Sequence, residues 1–149
     1  MNHTRLNTLL LVQLAATLYM IGLIWFVQIV HYPLFGQVGK ANFSAYEIAH
    51  ANLTTFVVAP PMLLEAVTAC LWLFYRPPGI RFAEALIGVC LLAVIWCSTW
   101  FLQVPQHNVL AAGFDASAQQ FLVTSNWLRT IAWSARGGLL LWLTAKQLR

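Results

Sequence analysis

The sequence is short of charge, since only 8% of its 149 residues are Asp, Glu, Lys or Arg. Soluble domains carry about 25% charged residues. Eight basic and four acidic side chains could not cover the surface of a soluble domain of this length. The shortage therefore excludes a cytosolic globular domain. The scattered positions of the basic residues also exclude a basic stripe that binds nucleic acid.

Cysteine is scarce as well. The chain has three cysteines, Cys70, Cys90 and Cys97, and no Cys-x-x-Cys pair. Cys90 and Cys97 are two turns apart on a predicted helix, so their side chains cannot bridge. The sequence therefore excludes a disulfide scaffold and lacks the signature of a quinone-coupled thiol oxidase.

Apolar residues, in contrast, are abundant: 60% of the chain is hydrophobic and the mean hydropathy is +0.73. A transmembrane helix needs about 20 mostly apolar residues to cross about 30 Å of hydrocarbon. Four segments meet this requirement, at residues 9–30, 52–75, 82–103 and 121–144. We therefore predict an all-α integral membrane four-helix bundle. Residues 1–149 would form a single transmembrane domain in contact with the lipid bilayer.

The positions of the basic residues predict the orientation of this bundle, because basic residues collect on the cytoplasmic side of a membrane. Five of the eight fall on one side: Arg5, Arg76, Arg81, Lys146 and Arg149. Both termini and the turn 75–81 are therefore predicted to be cytoplasmic, in the cell (inner) membrane. Loops 31–51 and 104–120 would face outward, and Glu47 would lie in the first of them. Residues 39–51 could add a short interfacial helix to that loop.

A short pattern recurs along the chain. Trp-Phe-Val-Gln-Ile at 25–29 returns as Trp-Phe-Leu-Gln-Val at 100–104, an offset of 75 residues. This repeat predicts two helical hairpins in parallel orientation. The alternative is coincidence, because Trp, Phe and Leu are frequent in apolar helices.

Two charged residues are predicted to lie near the middle of the membrane. Glu65 is ten residues from Tyr75, and Arg136 is ten residues before Lys146, so each would be about 15 Å deep. A lone charge there costs about 2.5–3.5 kcal/mol, so we predict that the two form an ion pair. The pair would either fix the helix register or belong to a substrate or proton site. In the second interpretation the substrate-binding residues are Glu65, Arg136, Trp133, Gln28 and Gln103.

Three histidines, His31, His50 and His107, are predicted at the outer ends of three helices. Imidazole is a common metal ligand and proton carrier. Three converging imidazoles would bind Zn, Cu or Fe, and two would ligate a haem from opposite faces. The alternative is that these histidines only anchor the membrane interface and that the protein has no cofactor.

The polar residues around the third and fourth predicted helices carry a resemblance to a known family. Residues 105–110 read Pro-Gln-His-Asn-Val-Leu, residues 126–130 read Asn-Trp-Leu-Arg-Thr, and the first helix ends His-Tyr-Pro-Leu at 31–34. In this layout the chain resembles the anthrone-oxygenase-like family of small four-helix membrane proteins. It departs from that family in having His107 where an Asn is expected. The resemblance implies an oxygenase or redox role and singles out His107, Asn126 and Arg129.

These features predict a multi-pass membrane protein with an outward-facing polar and histidine site. One hypothesis is a redox enzyme, oxygenase-like, that acts on a hydrophobic aromatic or quinone-like molecule. His107, Arg129 and Asn126 would then be catalytic. The base or ligand would be His31, His50 or His107, and Arg129 and Asn126 would hold a developing oxyanion. The alternatives are a small-solute transporter or binding subunit, and an assembly protein without catalysis.

Overall fold

The computed structural model describes residues 3–148, so Arg149 of the predicted cytoplasmic set lies outside the described residues. The regular structure of residues 3–148 is entirely helical. Its five α-helices are α1 (His3–Phe26), α2 (Lys40–Phe74), α3 (Phe82–Ser98), α4 (Val104–Ala112) and α5 (Ala116–Gln147). A π-helical turn (Val27–His31) and a 3-10 turn (Pro33–Gln37) follow α1, and a second π-helical turn (Thr99–Gln103) joins α3 to α4.

The four long helices pack in a ring. α1 contacts α2 and α5, and α3 contacts the same two helices. Within residues 3–148 the backbones of α2 and α5 are not in contact, so these helices occupy opposite corners, as do α1 and α3. Two parallel hairpins related by a two-fold axis along the bundle would give this order. The duplication itself stays a prediction.

Three helical stretches are long and apolar enough to cross a membrane: Arg5–Gln37, Lys40–Phe74 and Phe82–Ala112. α5 was predicted as the fourth span and has 32 residues, but it is not among these three. Its average hydropathy is lowered by polar residues such as Arg129 and Arg136, and both of these are buried. The exposed face of α5 is apolar and includes Phe121, Ile131 and Trp142.

The predicted first outer loop is largely helical. α2 begins at Lys40 rather than near residue 52, directly after Gly39, whose φ of 84° ends the preceding turn. Residues 40–51 therefore belong to α2 and do not form a separate interfacial helix. The expectation that Glu47 lies in a loop is wrong, because its side chain is 0% exposed on the inner face of α2.

The predicted second outer loop is helical as well. α4 carries Pro105 in its first turn and ends at Gly113, whose φ is 152°. The Asp115 carboxylate then caps α5 by accepting the Ala118 N–H at 2.7 Å. Hydrogen bonds from the Ser117 hydroxyl and from this N–H hold the pKa of Asp115 below its usual value. The segment predicted as a long loop is therefore one short helix followed by a tight turn.

At the opposite end of the bundle, Glu84 is buried rather than exposed. It accepts the Arg81 backbone N–H at 2.8 Å at the start of α3, and its other oxygen contacts Lys146 Nζ at 2.9 Å. This carboxylate therefore joins the beginning of α3 to the end of α5.

Candidate functional site

A cavity of about 420 Å³ lies inside the bundle, between α1, α2 and α3 and in front of α5. Most of its wall is apolar and is formed by Met20, Leu23, Ile24, Val27, Val58, Ala59, Met62, Leu63, Trp96, Trp100 and Val104. Polar groups of Tyr32, His50, His107 and Arg129 also line it, as does the indole of Trp133. The cavity is therefore an apolar chamber with a small set of hydrogen-bonding groups, as is usual for sites that bind small molecules.

The cavity reaches the outer surface of the bundle between α2 and α3. Leu63 on α2 is 54% exposed and Trp100 in the turn after α3 is 58% exposed, and both line the cavity. Arg129 and Trp133 on α5 are buried at its back. A molecule could therefore pass from the apolar flank of the bundle to the buried arginine.

Four side chains from separate elements form a hydrogen-bonded chain, here called the polar chain: Glu47, His107, Tyr32 and Arg129. Glu47 Oε1 lies 2.5 Å from His107 Nδ1, and His107 Nε2 lies 3.1 Å from the Tyr32 hydroxyl. Arg129 Nη2 donates to the same hydroxyl oxygen at 3.2 Å. Since Arg129 only donates, Tyr32 is free to donate its proton to His107 Nε2, and His107 then donates from Nδ1 to Glu47.

The geometry of the polar chain depends on the π-helical turns. The turn Val27–His31 leads directly into Tyr32, so that two consecutive residues, His31 and Tyr32, both contribute to the site. The turn Thr99–Gln103 supplies two further residues that line the cavity, Thr99 and Gln103. π-Helical turns inside α-helices are often found at functional sites.

Arg129 is held in place by its neighbours and has no acidic partner in direct contact. Its Nε and Nη2 atoms donate to Asn126 Oδ1 at 2.8 and 2.5 Å, and Nη1 donates to Thr99 at 3.3 Å. Asn126 is fixed in turn by donating to Gln28 Oε1 at 2.9 Å. No carboxylate of the described residues lies within 4 Å of the Arg129 guanidinium, although only 6% of the residue is exposed.

The three predicted histidines come together around one aromatic ring. His31 Nε2 and His50 Nδ1 are 2.9 Å apart, and the ring centroids of His50 and His107 are 5.4 Å apart. Phe35, which is fully buried, packs at a centroid distance of 5.2 Å against both His31 and His50. Thr54 Oγ1 also lies 3.1 Å from His50 Nδ1.

Glu47 is the residue that sequence reasoning missed. One ligand atom from each of Glu47, His50 and His107 lies within 4.8 Å of the other two, whereas His31 lies behind His50 and is not part of this group. The only sequence feature that pointed to Glu47 was its helical spacing with Phe43 and His50. A continuous α2 places these three residues on one face.

The predicted ion pair between Glu65 and Arg136 is confirmed. Arg136 Nε lies 3.2 Å from Glu65 Oε1, across the diagonal of the ring from α5 to α2. The other two nitrogens of Arg136 donate to the Gly88 carbonyl at 2.6 Å and to Gln13 Oε1 at 2.9 Å. Glu65 also accepts from Trp133 Nε1 at 3.0 Å. These four side chains, Gln13, Glu65, Trp133 and Arg136, are here called the buried cluster.

The predicted substrate-binding residues divide into two groups. Trp133 and Gln103 line the cavity, whereas Gln28, Glu65 and Arg136 do not. Both ends of the Gln103 amide are already occupied, because Oε1 accepts from Ser98 at 2.9 Å and Nε2 donates to Ser125 at 3.0 Å. Trp133 also lines the cavity, and its Nε1 donates to Glu65, so it offers the cavity an aromatic surface rather than a free hydrogen-bonding group.

Comparison with known proteins gives no further guide to the role of this site. No protein-family model, no curated protein and no solved structure matches the chain.

Proposed function

We propose that the chain is a four-helix integral membrane protein that binds a hydrophobic small molecule, aromatic or quinone-like, in the cavity and holds its oxygen against Arg129 and Tyr32. The observation that carries this proposal is a buried guanidinium without a contacting carboxylate at the wall of an otherwise apolar cavity. A buried charge of this kind is costly unless a partner is supplied. An oxygen of the ligand would be that partner.

Membrane insertion is supported by the distribution of side chains. Large apolar residues such as Phe56, Phe74, Phe101 and Ile131 are exposed on the outside of the bundle, while charged and amide side chains are buried inside it. Water would favour the opposite distribution, and a lipid bilayer favours this one. We propose that α5 is the fourth span and that both termini are cytoplasmic, as the basic residues predict.

The ligand class follows from the shape and chemistry of the cavity. Its volume of about 420 Å³ suits a molecule of one to a few rings. Trp96, Trp100 and Trp133 supply aromatic surfaces that pack well against flat rings. The polar groups lie together at one part of the wall, so a ligand with one or two carbonyl or phenolic oxygens matches better than a polar solute.

The polar chain gives the site an acid–base function. A ligand hydroxyl beside Tyr32 could pass its proton through Tyr32 and His107 toward Glu47, and Arg129 would stabilise the resulting oxyanion. Deprotonated phenols and enols are more easily oxidised than the neutral molecules. This step would therefore serve the redox role implied by the resemblance to anthrone oxygenases. Solute transport through Glu65 and Arg136 is less well supported, because neither residue lines the cavity.

The experiment measures quenching of tryptophan fluorescence by a short-chain quinone in the purified, detergent-solubilised chain. Three tryptophans line the cavity, so saturable quenching at one quinone per chain is expected. Arg129→Gln should weaken binding about 10- to 100-fold, because a hydrogen bond to a charged group contributes about 1.5–3 kcal/mol. Lys40→Gln, which removes an exposed positive charge far from the cavity wall, is the control. Non-saturable quenching, identical in both variants, would contradict the proposal.

A further inference from the structure

We propose that Glu47, His50 and His107 bind one divalent transition-metal ion of the Zn(II) or Fe(II) class at the wall of the cavity. The role of this ion rests on the proposed function, since it would meet the oxygen of the bound ligand. Its binding does not depend on that function and can be measured separately.

The donor set is of the right chemical kind. Two imidazoles and one carboxylate hold catalytic Zn(II) in some hydrolases and Fe(II) in many oxygenases, with coordination positions left open for substrate. Here the three donors come from α2 and α4, and their ligand atoms lie within 4.8 Å of one another. Metal bonds of about 2.0–2.2 Å require ligand atoms to be no more than about 4.4 Å apart, so small side-chain adjustments would close the site.

The second oxygen of Glu47 is an independent sign of a missing partner. Glu47 is 0% exposed, and its Oε2 has no hydrogen-bond partner among the described residues. A buried carboxylate oxygen without a partner is unfavourable. A bound cation would satisfy this oxygen directly.

The imidazoles are already oriented by their other nitrogens, as metal-binding histidines usually are. His50 Nδ1 is engaged by His31 and Thr54, which leaves Nε2 without a hydrogen-bond partner in the described part of the chain. His107 Nε2 is engaged by Tyr32, while Nδ1 is hydrogen-bonded to Glu47 Oε1 at 2.5 Å. The metal ion would replace the proton of that hydrogen bond. Proton transfer from Tyr32 toward Glu47 would then belong to the metal-free chain, and in the metal-bound chain the ion itself would stabilise the ligand oxyanion. His31, Thr54 and Tyr32 would then be positioning residues rather than ligands.

The location gives the ion access to a ligand. His50 and His107 both line the cavity, as does Arg129. An ion held by these histidines would therefore face the same chamber as the guanidinium. A ligand oxygen placed there would be polarised by the ion as a Lewis acid and by Arg129.

The test uses the full chain in detergent, stripped of metal with EDTA and titrated with Co²⁺ as the probe. We expect about one Co²⁺ per chain, with visible absorption bands of a low-coordinate nitrogen and oxygen site, and displacement by Zn²⁺. Glu47→Gln, His50→Gln and His107→Gln should each abolish stoichiometric binding. His31→Gln should weaken it about 10- to 100-fold. Glu84→Gln removes a buried carboxylate at the other end of the bundle and should leave it unchanged.

A measurement without variants covers the case in which a substituted chain does not fold. Wild-type protein loaded with Cu²⁺ should show electron-paramagnetic-resonance couplings to two imidazole nitrogens. Absence of these couplings, or Co²⁺ binding well below one ion per chain, would overturn the metal site. Saturable quinone quenching in the same metal-free protein would then leave the proposed function intact, whereas stoichiometric Co²⁺ without quenching would overturn only the ligand proposal.

Discussion

The polar chain and the buried cluster each contain a glutamate and an arginine, but the two regions use them differently. In both regions every nitrogen of the guanidinium donates a hydrogen bond, but in the buried cluster Glu65 and Arg136 are also in direct contact. In the polar chain Tyr32 and His107 stand between Glu47 and Arg129, and one oxygen of Glu47 has no partner among the described residues.

The difference between these regions separates a structural role from a binding role. An ion pair in direct contact neutralises both charges inside the bundle and holds the helices in register. A pair separated by titratable groups, beside a cavity, has donors and acceptors that a ligand can use. The difference supports the proposal that the polar chain belongs to a binding site and predicts that the buried cluster contributes mainly to stability.

The largest expected effect is on stability, and it comes from the buried cluster. Arg136→Gln leaves Glu65 buried without its cation, which should lower the unfolding free energy by about 3–5 kcal/mol. Arg129→Gln, which removes an arginine without a contacting carboxylate, should lower it by about 1–3 kcal/mol. Unfolding in detergent by titration with SDS measures both values.

For quinone binding the order is reversed, and Arg129→Gln should cause the larger loss of affinity. Folded Arg136→Gln protein should keep the quinone affinity within a few-fold of wild type, whereas Arg129→Gln should weaken it about 10- to 100-fold. Equal losses of stability, or loss of quinone binding in folded Arg136→Gln protein, would remove the distinction between the two regions.

A smaller effect is expected where α1 approaches α5 beside the buried cluster. A Cβ atom on Gly137 would lie 2.2 Å from Ile21 Cδ1, whereas a Cβ atom on Gly138 would meet nothing within 4 Å. Gly138→Ala should therefore stabilise the helix by about 0.5–1 kcal/mol. Gly137→Ala should be less stable than Gly138→Ala by about 0.5–1.5 kcal/mol, because the Ile21 side chain must change its rotamer. Thermal unfolding of the two variants side by side checks the difference. Equal melting temperatures would show that α1 is not tightly packed against α5 at Gly137.

The smallest effect is expected at Asp115, which belongs to neither region. Its pKa is lowered in the folded chain by hydrogen bonds from Ser117 and Ala118. A lowered pKa contributes stability above the unfolded-state pKa of about 4, and that contribution is lost as the pH falls through the folded-state pKa. Asp115→Ala should therefore lower the melting temperature slightly at pH 7 and reduce its change between pH 5 and pH 3. Asp115→Asn, which keeps an N-cap acceptor, should retain the pH 7 value.

The sequence predicted the buried cluster better than the polar chain. Depth along a helix and the cost of a lone charge were sufficient to pair Glu65 with Arg136, because both residues lie inside long apolar segments. Glu47 lies in a stretch whose average hydropathy is too low to be assigned to a span. Only the tertiary fold shows that this stretch is the first part of α2, with a buried inner face.

The cavity could not be predicted in the same way. It depends on how Trp96, Met62 and Val27, from three different elements, leave space between them. Helical periodicity places each of these residues on an inner face but says nothing about the volume that remains. The π-helical turns that bring Tyr32 and Thr99 into the site overlap the repeated pattern at 25–29 and 100–104, but the residue types in that pattern do not distinguish a π-helical turn from an α-helix.

Leu63 and Trp100 form an exposed part of the cavity wall, and their position bears on whether a ligand enters from water or from lipid. In the proposed membrane setting, a molecule that passes between α2 and α3 would arrive from the lipid and not from water. Its occupancy at Arg129 would then follow its mole fraction in lipid or detergent, and apparent dissociation constants would rise in proportion to the amount of detergent present. A poorly water-soluble molecule, dilute in buffer, could therefore be present at saturating levels where this cavity opens.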